Sequence, residues 1–317
     1  MFEKVQKLFN ENSVKNCHFI YLKKNGNEFE SNSISLGKSH WNNNQDLNGD
    51  YIFRLMSMSK PITALAAMQL VEKGKLNLDT PVEEVLPEIK EIPVLNSDSK
   101  LVKQSKSITL RHLMSHTSGF AYNSLMMITS KKIKDLSISM KIFLFLKGII
   151  TYIYPFSKGP RLFEAGTDFK YGTGLGFVGM MIEKVTGQSL EEYCKENIFN
   201  PLDMKNTFFT IPREKRDKIV PLGIRQGKKS KVIRKMPFKG QPYLRFWRKS
   251  YYGGTEIFSS PNDYANFVKC LMNKGSYNDK QIISESSFNE MIKPGKFDQM
   301  FESCLLYTSD AADEKRG

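Results

Sequence analysis

Positions 61–71 read PITALAAMQLV, a run in which only Thr63 and Gln69 carry polar side chains. A helix of that composition is apolar around most of its circumference, so it is stable only inside a core, with other elements covering it. It follows directly on Ser57-Met58-Ser59-Lys60 and is expected to stop at Gly74, which reads as a C-cap. Ser57 and Lys60 stand three residues apart, a spacing that puts two side chains on one helical face, so Lys60 can reach the Ser57 hydroxyl. Burial favours the amine over the ammonium, and an amine in that place can take the proton as the serine attacks a carbonyl carbon.

The S-x-x-K spacing is not unique in the chain, since it recurs at Ser35/Lys38 and Ser97/Lys100. Ser35/Lys38 ends an expected strand, and Ser97/Lys100 sits in the polar stretch NSDSKLVKQSKS. Only Ser57/Lys60 leads into an apolar helix. The competing role for Ser57 is a helix N-cap, its hydroxyl accepting from the backbone of the first turn.

The chain has 317 residues, 40% apolar and 25% charged, an ordinary globular balance that fits one large domain or two intertwined ones. Cys17, Cys194, Cys270 and Cys304 lack metal-ligand or disulfide-framework spacing and are expected to be free thiols. The N-terminus MFEKVQKLFNEN shows no secretory signal pattern, which makes the cytoplasm the default compartment. Ile142–Phe156, IFLFLKGIITYIYPF, is too short for a bilayer span and is interrupted by Lys147 and Gly148, so no transmembrane segment is expected. It reads instead as part of an amphipathic helix over the core, with a lid or a membrane-surface helix as the functional alternative.

Taken in order, residues 2–12 read as a short helix, followed by a hairpin whose turn is Asn25-Gly26. Thr80-Pro81-Val82-Glu83 carries the marks of a helix start, threonine as N-cap, proline first and glutamate closing a capping box, with an end near Pro87. In LRHLMSHTSGF the pair His112 and His116 has i, i+4 spacing without the glutamate of H-E-x-x-H. The two histidines read as packing and hydrogen-bonding groups at a helix end and at the turn of Gly119, and no metal is expected. Gly172, Gly174 and Gly176 open a helix but have neither the spacing nor the preceding strand of a dinucleotide fingerprint. A further helix is expected from about Ser189, another from Pro261, and a short one in QIISESSFNEMI.

The net charge of +14 is uneven: Arg225 to Lys249 holds ten Lys or Arg, no acidic residue, and the aromatics Tyr243, Phe246 and Trp247. Such a segment can hold an anionic surface, lipid or nucleic acid, but a solvated basic loop is the simpler reading, and no nucleic-acid partner is expected.

Five ordered stretches, FRLMSMSKPITALAAMQLVEKGKLNLDTPV, LRHLMSHTSG, EAGTDFKYGTGLGFVGMMIEKVTG, IFNPLDMKNTFF and YYGGTEIFSSPNDYANF, together resemble the serine β-lactamase and penicillin-binding-protein superfamily, nearest its class C and family VIII esterase branch. The likeness runs from the first hairpin to about Met300. It implies an α/β lobe plus an all-helical lobe, an antiparallel sheet flanked by helices, with the helical lobe inserted at roughly 75–250 of a domain spanning 1–303. It also implies that Ser57 forms a covalent acyl-enzyme with Lys60 as partner, that Tyr171 relays the proton, and that the Ser57 N–H supplies half of an oxyanion hole. Thr173, Gly253 and Gly254 are the corresponding substrate-binding candidates. Threonine stands at 173 where the superfamily's Y-x-N motif has asparagine, so an amide that both donates and accepts is lost. No cofactor is implied.

The superfamily's third motif, a K-T-G or H-x-G strand, is not found in this chain. The final stretch from Cys304, CLLYTSDAADE, matches the translation of a transposase-based sequencing adapter. The natural frame is therefore expected to end near Ser303, with 304–317 an artefactual tail and the C-terminal sheet strands missing. The chain in this form is then expected to be poorly stable and nearly inactive, and its full-length parent a working enzyme.

The expected activity is that of a serine hydrolase on a small-molecule ester or amide, esterase-like more than β-lactamase-like because of Thr173 and the apolar stretch at 142–156. A D,D-peptidase is the nearby alternative. A non-catalytic binding protein of the same fold is the alternative of a different class.

Overall fold

The computed structural model describes residues 1–11, 15–26, 28–40, 44–98, 100–122, 137–139, 160–226, 229–232 and 251–293. The apolar stretch 142–156, most of the basic segment 225–249, the residues around Met300 and the stretch 304–317 lie outside these.

The helices are α1 (Phe2–Glu11), α2 (Ser59–Glu72), α3 (Leu110–Met114), α4 (Gly174–Thr186), α5 (Leu190–Cys194), α6 (Pro261–Met272) and α7 (Glu285–Ile292). The strands are β1 (Asn16–Asn25), β2 (Glu28–Gly37), β3 (Phe53–Arg54), β4 (Val94–Leu95), β5 (Leu101–Val102), β6 (Gly223–Gln226), β7 (Lys229–Val232), β8 (Phe258–Ser259), β9 (Ser276–Tyr277) and β10 (Lys280–Gln281). Among the described residues they pair antiparallel in twos, β1 with β2, β3 with β8, β4 with β5, β6 with β7 and β9 with β10.

The chain divides into two compact units, one made of Met1–Leu76 with Gly179–Asn289, the other of Asn77–Val178 with the chain from Glu290. In the first unit the β1–β2 hairpin turns where expected, Asn25 facing Glu28 across the ladder. Helix α6 lies against β1 and α1 against β2, and Phe2 meets Phe19 edge-on with ring centroids 6.1 Å apart.

Helix α2 occupies the centre of this unit because its side chains leave it no other place. Ile62, Leu65, Ala66 and Ala67 are fully buried, and Met68 and Leu70 nearly so. It packs on α5 and on the π-helical turn Lys195–Phe199 that extends α5. Burying each large side chain here is worth about 2 kcal/mol of transfer free energy. The two polar residues of the run are buried as well and act as tethers. Thr63 Oγ1 donates to Gly253 O at 2.7 Å, and Gln69 Nε2 donates to Asn197 O at 3.0 Å and Ile282 O at 2.8 Å. The helix closes at Lys73 and Gly74, whose N–H groups donate to Gln69 O and Val71 O.

The helix expected from Thr80 to about Pro87 does not form. Two 3-10 turns, Val82–Glu84 and Pro87–Glu91, stand in its place, and neither has a side-chain cap. The groups that would build the cap are engaged elsewhere: Val82 N donates to Ile108 O, Pro81 bridges to Thr109, and the Glu83 carboxylate accepts from the Ser107 hydroxyl. Tertiary pairing with 107–109 thus outweighs a local helix signal whose second proline, Pro87, caps its length. The second unit's core gathers Leu95, Leu162 and Phe163 with Leu101 and Ala121, and elsewhere Val82, Ile89, Ile108, Leu110 and Leu113 are fully buried.

Replacing Gln69 by leucine keeps the volume but leaves Asn197 O and Ile282 O without this donor, so Gln69→Leu should lower stability by about 2 kcal/mol. The expected result in urea denaturation is a lower midpoint with an unchanged slope.

Candidate active site

Strand β3 ends at Arg54, and the backbone makes one 3-10 turn, Met56–Met58, before α2 starts at Ser59. Ser57 lies in that turn, half-buried, with Met56 before it in the left-handed region at φ 51°. A non-glycine residue there is strained, and its neighbours must hold it. The support comes from the segment after Gly254: Leu55 N donates to Ile257 O at 3.0 Å, and Ile257 N donates to Ser59 Oγ at 3.2 Å.

Lys60, in the first turn of α2, is buried to 8% exposure. Its Nζ donates to Ser57 Oγ at 3.0 Å and to Gly254 O at 3.0 Å. Together with the Thr63 bond to Gly253 O, this makes Gly253 and Gly254 the two residues whose carbonyls fix the start of α2. The serine and lysine singled out by spacing are therefore in contact, and Ser57 makes no side-chain cap to α2, whose N-cap is Met58. The N-terminal end of α2 carries the positive end of the helix dipole, which favours negative charge developing beside it.

The other two S-x-x-K sequences are not serine–lysine pairs. Ser35 Oγ is 2.7 Å from His18 Nδ1 on the facing strand, and Lys38 pairs with Asp46 at 2.6 Å. Ser97 Oγ donates to Asp98 at 3.4 Å.

Tyr171 and Thr173 belong to the second unit, at the start of α4. The Tyr171 ring lies 4.6 Å from that of His116 and 5.9 Å from that of Tyr122, centroid to centroid. Thr173 is half-buried, and its carbonyl accepts from Gly176 N at 2.9 Å. Gly172 and Gly174 run so close to Phe120 O and Leu113 O that no Cβ fits at either. The reason for glycine here is close backbone approach, not a phosphate loop.

A family model for Beta-lactamase matches residues 24–299. The chain belongs to the Beta-lactamase family. Within it, curated relatives include the acyltransferase mokF of Monascus pilosus, 27% identical over 83% of this chain, and the lovastatin esterase of Penicillium rubens, 28% identical over 91% of it. The chain spans 59% and 66% of those two proteins, about three-fifths of the length of the curated relatives it matches. Unliganded simvastatin synthase LovD of Aspergillus terreus superposes with a TM-score of 0.71 at 22% identity, over 89% of this chain and 69% of that one. The octameric penicillin-binding protein homologue of Pyrococcus abyssi gives 0.63 at 21%, over 91% and 58%. The fold is accordingly that of the β-lactamase and transpeptidase family. No helix among the described residues is long and apolar enough to cross a membrane.

Two residues of the second unit that spacing did not single out as functional complete its framework. Arg161 is fully buried, its guanidinium donating to Ser118 O at 3.2 Å and Gln104 Oε1 at 3.0 Å and facing Glu164 at 3.4 Å. The only hint in the sequence is a lone cation in R-L-F with an acid three residues on. His112 closes a capping box on α3: Thr109 Oγ1 accepts from His112 N at 3.3 Å, and His112 Nδ1 accepts from Thr109 N at 3.2 Å.

Burial, opposed by Asp79 and reinforced by the Arg111, Arg161 and Lys106 charges, lowers the His112 pKa from its ordinary 6.5. With the folded value below the unfolded one, the unfolded chain binds the proton first as pH falls. This contribution to stability is complete above about pH 6.5 and is lost from there down through the folded value. His18, lowered by burial and opposed by Asp50, titrates in the same direction. Thermal melts at about pH 7.5 and 5.5 should show a smaller acid-induced loss in His112→Asn than in the unchanged protein, the remainder including His18.

Proposed function

We propose that the protein is a serine acyl-transfer enzyme that takes an acyl group from a small-molecule ester onto Ser57 and passes it to water or to an acceptor alcohol. The observation that carries the reading is the 3.0 Å contact between Lys60 Nζ and Ser57 Oγ in a buried setting. A side-chain pair at that distance has the geometry of a nucleophile and its base.

With Lys60 in its amine form, the Ser57 Oγ–H gives its proton to Nζ as Oγ bonds to the carbonyl carbon. The oxyanion that forms is met by the Ser57 N–H and the positive end of α2. As the tetrahedral intermediate collapses, the C–O bond to the leaving group breaks and the departing alkoxide takes the proton through Tyr171. Water or an alcohol then repeats the sequence on the acyl-Ser57 ester, giving an acid or a new ester and restoring the hydroxyl. Thr173, Gly253 and Gly254 are assigned to the substrate's surroundings, with Thr173 favouring esters over β-lactams because it lacks the amide of the Y-x-N motif. Relatives named as an acyltransferase and an esterase support the ester reading and motivate the alcohol acceptor.

On the full-length protein, a fluorophosphonate probe should label Ser57, and Ser57→Ala should abolish both labelling and hydrolysis of p-nitrophenyl butyrate. Lys60→Ala should slow labelling by about 10²–10⁴-fold, and Tyr171→Phe should slow hydrolysis of an alkyl ester, ethyl butyrate, by a similar factor. Absence of labelling in the unchanged protein would instead support a non-catalytic binding role, and nitrocefin turnover faster than ester turnover would overturn the substrate assignment.

A further inference from the structure

His116 is a buried histidine, 8% exposed, in the left-handed region at φ 58°. Such a backbone is costly for a residue with a Cβ and persists where the surroundings fix it. Five contacts tie it and the adjacent Thr117 to the segment 166–172. Lys170 N donates to His116 O at 2.9 Å, Gly172 N donates to His116 Nδ1 at 3.4 Å, and Gly166 N donates to Thr117 O at 2.8 Å. The imidazole meets Phe169 edge-on at 6.2 Å and Tyr171 at 4.6 Å, centroid to centroid, with the planes tilted by 49°. The residues on both sides of Tyr171 are thus bonded to His116, and the ring of Tyr171 rests on it.

From this we infer that His116 is the positioning residue for Tyr171, a role that rests on the assignment of Tyr171 as proton relay. Because Nδ1 accepts from a backbone N–H, the imidazole is assigned the neutral Nε2–H tautomer. Its carbonyl and Nδ1 fix the backbone at 170 and 172, and its face fixes the direction of the phenol. Neighbouring Gly172, pressed against Phe120 O, removes the freedom to compensate by a backbone shift.

The test combines three measurements on the full-length protein. In ¹⁵N-histidine-labelled protein, long-range correlations should show His116 as the Nε2–H tautomer; an Nδ1–H tautomer overturns the inference without any variant having to fold. With 3-fluorotyrosine at 171, the ¹⁹F resonance should move or broaden in His116→Asn, chosen because asparagine tolerates the left-handed backbone, or in His116→Gln if the first fails to fold. An unmoved resonance overturns the inference.

In ethyl butyrate hydrolysis, His116→Asn should lower kcat by about 10- to 100-fold, with little effect once Tyr171→Phe is already present. Equal effects in both backgrounds overturn it. If Tyr171→Phe hydrolyses ethyl butyrate at the unchanged rate while the ¹⁹F signal still responds to His116, positioning stands and the relay assignment fails. If Tyr171→Phe is slow but His116→Asn alters neither the ¹⁹F signal nor the rate, the relay stands and positioning fails.

Discussion

The bond from Lys60 to Gly254 O, with that from Thr63 to Gly253 O, is the constraint on which the rest of the first unit's chemistry depends. A lysine at the start of an apolar helix has many rotamers, and burying its head group without acceptors would be costly. The carbonyl from a segment almost 200 residues away gives Nζ one acceptor, and Ser57 Oγ gives it another. The same segment pins the Leu55 backbone and the Ser59 hydroxyl. The left-handed residue Met56 is therefore bracketed by long-range hydrogen bonds, and the serine after it has a fixed place relative to the amine.

The second unit solves a similar problem with a different device. Its tyrosine is carried by a loop, and a loop has no lattice of its own. The turn at 115–119 serves as that lattice, accepting backbone N–H groups from 162, 166 and 170. Arg161 anchors the turn from behind through Ser118 O. A guanidinium so deeply buried is tolerable because its partners are a carbonyl, an amide oxygen and a carboxylate, and because that carboxylate is itself held by Ser105. Two buried polar clusters, one per unit, thus do what hydrophobic packing alone cannot, which is to fix direction as well as depth.

Much of this was readable from the residues. The apolar run at 61–71 demanded burial, the serine–lysine spacing placed two groups on one face, and Ser189 and Pro261 announced helices α5 and α6, capped by Ser189 and Ser260. The hairpin turn was visible in Asn25-Gly26. What was not readable is what depends on distant partners. Thr80-Pro81-Val82-Glu83 satisfies every local rule for a helix, yet Ile108 O and Ser107 claim the groups the helix needed. The carbonyls of Gly253 and Gly254 have no side chain to advertise their role. His112 and His116 were legible as packing and hydrogen-bonding groups, but not that one caps a helix while the other carries the segment bearing Tyr171.

The spacing of Gly172, Thr173 and Gly174 has a consequence for how such a protein can change. The glycines on either side are sterically locked, since any side chain at them would strike the backbone of Phe120 or Leu113. Thr173 between them is half-buried and already carries a Cβ. Exchanging one Cβ-bearing residue for another at 173 is therefore compatible with the rail on either side, whereas any exchange at 172 or 174 is not.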